Sequence, residues 1–351
     1  MSFKRLDPED ISISAESVVA PAWTGQVTTL TTNNFFTSSN QVASTGQYYY
    51  NVYQADPQTA AAGTAVVQFG VAYGNRFGSG SALINQQAGK SPSSIIYGQY
   101  RTLINGDEDT NFKFGTVTPN SIFAISVNRS RYKEKLQPGT FNLKLTTGSN
   151  TLFLTDDSNS TTTVSYVDAG RVYEIISGSN GVANTTVNTQ GYSKASGSYG
   201  KFLPDVGVII LNGDALSGSN PGGFPTSLSV AGGLGLPISE SSDFKFTFNA
   251  TSVFNAVKFG ASFKLQSQET VTSNYVFVRV RNSEFNYSTN PSNITGSGEL
   301  KWDIMVNTPQ VYITTVGLYN DNNDLLAVAK LSKPLLKDFT KEALVRIKLD
   351  Y

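Results

Sequence analysis

The chain alternates between short apolar runs and polar, glycine-rich breaks, and the period of two dominates wherever a period can be seen. Residues 65–74 (AVVQFGVAYG) and 206–211 (VGVIIL) are continuous apolar runs, the pattern of strands buried on both faces. Asp243–Asn249 (DFKFTFN) alternates strictly and predicts a strand with Phe244, Phe246 and Phe248 on one face. Residues 269–281 predict a long strand with Val276, Val278 and Val280 on one side and Tyr275, Phe277 and Arg279 on the other. Further strands are expected over 122–127, 141–146, 151–155, 162–166, 171–176, 311–318, 325–330 and 343–349. Their regular spacing, with Gly, Asn or Asp between, is the rhythm of a sandwich or barrel. One segment reads differently. Ser91 can cap a helix that starts at Pro92, and Ile96, Tyr100 and Leu103 then share a face as far as Asn105-Gly106.

The first 45 residues show little periodicity. Ser, Thr and Asn surround isolated large side chains, Trp23, Phe35 and Phe36, and the run Tyr48, Tyr49, Tyr50 follows. Such a segment buries little by itself, so it predicts an extended arm laid over its own core or a neighbour. The expected organisation is an arm over 1–45, a β-rich domain over 46–200 carrying the helix near 91–104, and a sandwich-like β domain over 201–351. The Gly/Ser/Asn-rich stretch 177–202 marks the second break. In fold class the chain reads as all-β and β-sandwich-like, with one inserted helix and an extended N-terminal arm.

Composition narrows the chemistry. There is no cysteine and no histidine, which removes disulfides, thiolate and imidazole catalysis and the commonest zinc ligands. Carboxylate pairs survive that filter. Glu284 in RNSEFNYS is the best-placed glutamate, and an ion pair with a neighbouring strand's arginine is its simpler role. Asp107–Asp109, Asp156-Asp157 and Asn320–Asp324 (NDNND) read as turns, since none has the spaced ligands of a calcium loop. No enzyme activity, cofactor or metal is expected.

Net charge is zero, which argues against nucleic acid as a partner. The charge is unevenly spread. No Lys or Arg lies between Leu6 and Asn75, a stretch of net charge −5, while the chain from Arg76 onward is +3. Arg129, Arg131, Lys133 and Lys135 alternate with Ser130, Tyr132 and Glu134 as a basic strand edge, a counterpart for an acidic neighbour. Ser, Thr and Asn supply 104 of 351 residues, a surface suited to hydrogen bonding across protein contacts. The opening MSFKRLDPED predicts no secretory leader, and no run is long enough to insert in a membrane.

Four segments taken together carry a resemblance: VAYGNRFGSGS (71–81), SIIYGQYRTLI (94–104), YVFVRVRNSEFNYSTNPS (275–292) and YITTVGLYNDNNDLLAVAKLSKPL (312–335). They resemble virion structural proteins of contractile-tailed bacteriophages, especially those of cyanobacterial hosts. The last is similar to a hairpin of baseplate and tail-fibre components. The resemblance implies a non-enzymatic part of the tail, in the baseplate or at the fibre attachment. It also implies assembly in the host cytoplasm, other tail proteins as partners and several copies per particle. Its alternatives are a receptor- or glycan-binding adhesin and a neck or head-decorating protein. The interface anchors expected are Trp23, Phe35, Phe36, Tyr48, Tyr49 and Tyr50, with Arg129 and Arg131. Deleting residues 1–45 should then leave a folded body unable to join particles.

Overall fold

The structure, a computed structural model, describes residues 3–37, 49–81, 91–115, 117–148, 150–183, 198–217, 234–238 and 248–350. It is largely β, built from antiparallel sheets with few short helices. The chain forms two compact units, residues 18–269 and residues 1–17 with 270–351.

The larger unit holds strands β2 (Thr29–Thr31), β3 (Tyr49–Tyr53), β4 (Val67–Asn75), β5 (Ser121–Val127), β6 (Lys135–Leu136) and β7 (Asn142–Thr147). It continues with β8 (Asn150–Asp156), β9 (Ser165–Val167), β10 (Gly170–Ser179), β11 (Val182–Ala183), β12 (Gly200–Leu203), β13 (Val208–Asn212) and β14 (Ser262–Lys264). Ten of them follow one path, β2-β14-β7-β8-β10-β12-β13-β5-β4-β3, curled into a half-barrel. Its helices are α1 (Pro92–Asn105), α2 (Gly213–Ser217) and α3 (Phe248–Gly260).

The continuous apolar runs are explained by burial on both faces. In β5, Phe123, Ile125 and Val127 enter the main core while Ile122 and Ala124 enter a second one. In β13, Ile209 and Leu211 do the former and Val208 and Ile210 the latter. Helix α1 supplies Tyr97 and Ile104 to the second core. Its start is as expected: the Ser91 hydroxyl accepts from Ser94 N, Pro92 occupies the first turn, and Gly106 closes it in a left-handed conformation. Helix α3 supplies Ala250, Val253, Phe254, Ala256 and Val257 to the main core. Of the alternating segment 243–249, residues 243–247 lie outside the described residues, and Phe248 and Asn249 open α3.

The smaller unit contains most of β1 (Ile11–Pro21) and β15 (Gln266–Val280), with β16 (Gln310–Tyr319), β17 (Leu325–Asp338), β18 (Ala343–Asp350) and helix α4 (Asp303–Asn307). The order β1-β15-β18 makes one sheet, and β16-β17 makes a separate hairpin. The alternation read over 276–280 holds. Val276, Val278 and Val280 pair with Ile347, Val345 and Ala343, and all six are buried. Val316, Leu318, Ala329 and Leu331 of the hairpin pack on them. The segment NDNND forms the hairpin turn, with Asn320 Oδ1 accepting from Asn322 N and Asp324 N. Lys337 is buried, and its Nζ donates to Asn282 O, Asn286 Oδ1 and Asp338 O, which fixes the loop after β15.

Candidate interaction surfaces

The residues singled out as anchors fall into two groups. Trp23, Phe35 and Tyr50 fill the chain's own core. Trp23 Nε1 donates to Phe263 O at 2.9 Å, and its ring meets Phe263 edge-on at 4.9 Å and Phe69 at 6.0 Å. Phe35 lies edge-on to Phe69 at 6.5 Å. Tyr50 stacks on Phe254 at 6.2 Å and its hydroxyl accepts from Thr251 Oγ1. Phe36 is half-buried and bridges to Tyr53 through both backbone hydrogen bonds. Tyr48 lies outside the described residues. Tyr49 differs from its neighbours, since 47% of its surface is exposed.

The N-terminal segment is therefore not an arm with a spare core beneath it. Ala22, Trp23, Leu30 and Phe35 belong to the main core, and Thr24 is fixed by Gln68 through N–H to Oε1 and Nε2–H to Oγ1, each 2.9 Å. Removing residues 1–45 would empty that core rather than free a folded body. The isolated aromatics are swallowed because their partners come from strands far along the chain, which local periodicity does not reveal.

The basic stretch is also corrected. Residues Arg129–Arg131 form a 3-10 turn, and strand pairing begins only at Lys135. Asn128 is responsible, because its Oδ1 accepts from Ser130 N and Oγ and competes with an extended backbone. Arg129 folds back on Tyr132 O and Lys133 O and lies over the Tyr132 ring at 4.6 Å. Arg131 reaches Thr24 Oγ1 and Ser130 Oγ. Both guanidinium groups thus have partners within their own chain.

Two other expectations change in detail. Glu284 forms its ion pair with Lys4 at 3.1 Å, not with an arginine, and also accepts from Arg281 N. Arg279 pairs instead with Glu342. Asp156 and Asp157 are not a solvated turn. Both are buried: Asp156 accepts from Gly139 N, Ser158 N and Ser158 Oγ, and Asp157 accepts from Glu174 N and Thr161 Oγ1. Burial pushes the Asp156 carboxyl up, and its hydrogen bonds offset part of that rise. These carboxylates organise loops; no group of three or more metal-ligating side chains occurs among the described residues.

Asp205 supplies a charge that matters for stability. It accepts from Arg171 N at 2.8 Å and Nε at 3.1 Å, and pairs with Nη2. Burial opposes ionisation, yet the Arg171 hydrogen bonds and charge hold the carboxyl below its ordinary value. The unfolded chain therefore binds this proton more tightly. The stabilisation is present above the ordinary carboxylate range and is lost as pH falls through the folded pKa. Asp205→Asn is expected to cost about 1–2 kcal/mol at neutral pH, allowing for partial exposure. In urea unfolding the gap to wild type should narrow as pH falls below the ordinary carboxylate range; a gap that ignores pH would refute the role of the charge.

What the surface does offer is an open strand. β1 ends its sheet, and none of its eleven residues is buried. Ile11, Ile13, Val18 and Val19 are exposed along it, Ile13 by 69%. Glu16 is its one charge and Pro21 comes only at its end. The other end strand, β18, exposes Leu344, Arg346 and Lys348. No helix among the described residues is long and apolar enough to cross a membrane. Comparison with protein families, with curated proteins and with solved structures gives no match.

Proposed function

We propose that this chain is a non-enzymatic structural component of a phage contractile tail, in the baseplate or at the tail-fibre attachment, acting through subunit contacts. The exposed β1 edge is the observation that supports the reading best. A solitary protein blunts such an edge with lysine, proline or a covering loop, because unpaired N–H and C=O groups recruit other strands. β1 instead carries Ile11, Ile13 and Val19 on one face and Val18 on the other, the arrangement that strand addition from a neighbour uses. The hydroxyl- and amide-rich surface suits the rim of such contacts. The four segments that resemble tail proteins are the support for placing it in a tail. A sandwich-like smaller unit, its valine face covered by the β16–β17 hairpin, belongs to the same reading.

The test is incorporation. Ile13→Lys combined with Val19→Lys removes two aliphatics from the contact, at about 1.5 kcal/mol or more each, so docking should weaken roughly a hundredfold. The purified double variant should melt like wild type, yet be missing from particles when it replaces the native chain. Normal incorporation would refute β1 as the contact. Failure to find even the wild-type chain in tails by immunogold labelling would refute the function.

A further inference from the structure

A groove on the larger unit goes beyond this reading and does not depend on it. It lies on the face of β3, β4 and β5 that carries Tyr49, Asn51, Gly70, Ala72 and Ser126. Helix α1 covers part of that face, because Gly74 lets the helix backbone close in: a Cβ there would stand 2.9 Å from Tyr97 N. Gly70 sits on the same face but has no helix above it. A Cβ added there would meet nothing closer than 3.7 Å. The missing side chain at Gly70 thus leaves a trough between the half-exposed Tyr49 on the end strand β3 and Tyr100 on α1. Its volume is about 260 Å³, just below the usual range of ligand clefts and enough for part of one small ring.

The lining has one consistent chemistry. Among the described residues it contains no charged one: apolar Val67, Ala72 and Val127 lie beside the two tyrosines, two asparagines and Ser126. Tyr100 Oη and Ser126 Oγ share a hydrogen bond of 2.7 Å and keep acceptor capacity for a further donor. Asn128 Oδ1 is occupied by Ser130, so its Nδ2 is left to donate elsewhere. An aromatic face beside neutral amides and hydroxyls matches a molecule with an apolar C–H face and a hydroxyl rim. We infer that the groove binds a neutral sugar ring, stacked on Tyr49 and hydrogen-bonded by the Tyr100 and Asn128 side chains. With no carboxylate in the lining, the site holds the sugar without cleaving it.

The full chain should be screened by saturation-transfer NMR against glucose, galactose, mannose, N-acetylglucosamine and, as a charged control, galacturonate. At least one neutral sugar should show transfer, and galacturonate should show less. Gly70→Leu fills the trough with its Cβ in ordinary contact, 3.7 Å from Tyr50 O and Asn51 Oδ1, and Tyr49→Ala removes the stacking surface at an exposed position. Each should weaken the neutral sugar's binding at least tenfold, with thermal unfolding unchanged. Absence of transfer from every neutral sugar, preference for galacturonate, or binding retained by a folded Gly70→Leu protein would each overturn the inference.

Discussion

Replacing Gly260 by valine is expected to unfold most of the larger unit. Gly260 ends α3 where the helix meets β7, and a Cβ at this position would overlap the carbonyl oxygen of Lys144. The obstacle is backbone in the middle of a sheet, so no rotamer change can yield. The helix would have to lift away, taking Ala250, Val253, Phe254, Ala256 and Val257 out of the main core. A loss of about 4 kcal/mol or more is expected, of the size reserved for overpacking against fixed structure. In thermal unfolding that corresponds to a fall of roughly 8–16 °C for a unit of this size. Gly98 is the control. It lies within α1 with open space where a Cβ would go, so Gly98→Ala should stabilise by about 0.5–1 kcal/mol. Equal, small effects at the two glycines would show that α3 can slide on β7.

Trp23→Ala should rank next, at about 3–5 kcal/mol in urea unfolding. The indole is the hub between the N-terminal segment and the aromatic row Phe69, Phe263 and Phe141, whose members lie 5.2 and 6.0 Å from Phe263. Its removal opens a cavity in the centre of that row and leaves Phe263 O without its donor. Trp23→Phe keeps most of the burial and loses the hydrogen bond, so a cost of about 1–2 kcal/mol is expected. Ile13→Ala, on the exposed β1 edge, should stay within about 0.5 kcal/mol. A Trp23→Ala cost as small as that of Ile13→Ala would return Trp23 to the status of a surface anchor.

The contrast between Trp23 and Ile13 shows where sequence reading reaches its limit. Alternation identified the valines of β15, the continuous apolar runs identified β4 and β13, and turn-bounded spacing identified β5, because each pattern is set within one strand and its flanking turns. The Ser91-Pro92 signal located α1 for the same local reason. Trp23 and Phe35 carry no periodicity because each is a single side chain plugged into strands 34 to 240 positions away. Helix α3 was hidden differently. The strict alternation before it suggested a strand, and its polar stripe is narrow, Thr251, Asn255 and Lys258, each only half-exposed. The spacing of Val253, Ala256, Val257 and Gly260 was its available signal. The groove had a fainter one, a glycine inside an apolar strand, which marks either close approach or a missing side chain. Gly74 turned out to be the first and Gly70 the second.

The order in which the two units draw on the chain has a consequence for synthesis. Residues up to 17 emerge before the larger unit, yet β15, the strand that β1 pairs with, is completed only after it. At ordinary ribosomal rates that delay is roughly 10–50 s. During it the larger unit has time to fold, while Ile11 and Ile13 wait with no sheet to join. The edge becomes an ordered strand only once β15 has been made, and its sheet is complete only with β18. A product that stops before β15 would then lack the very surface proposed for docking, so assembly through β1 would pass over it.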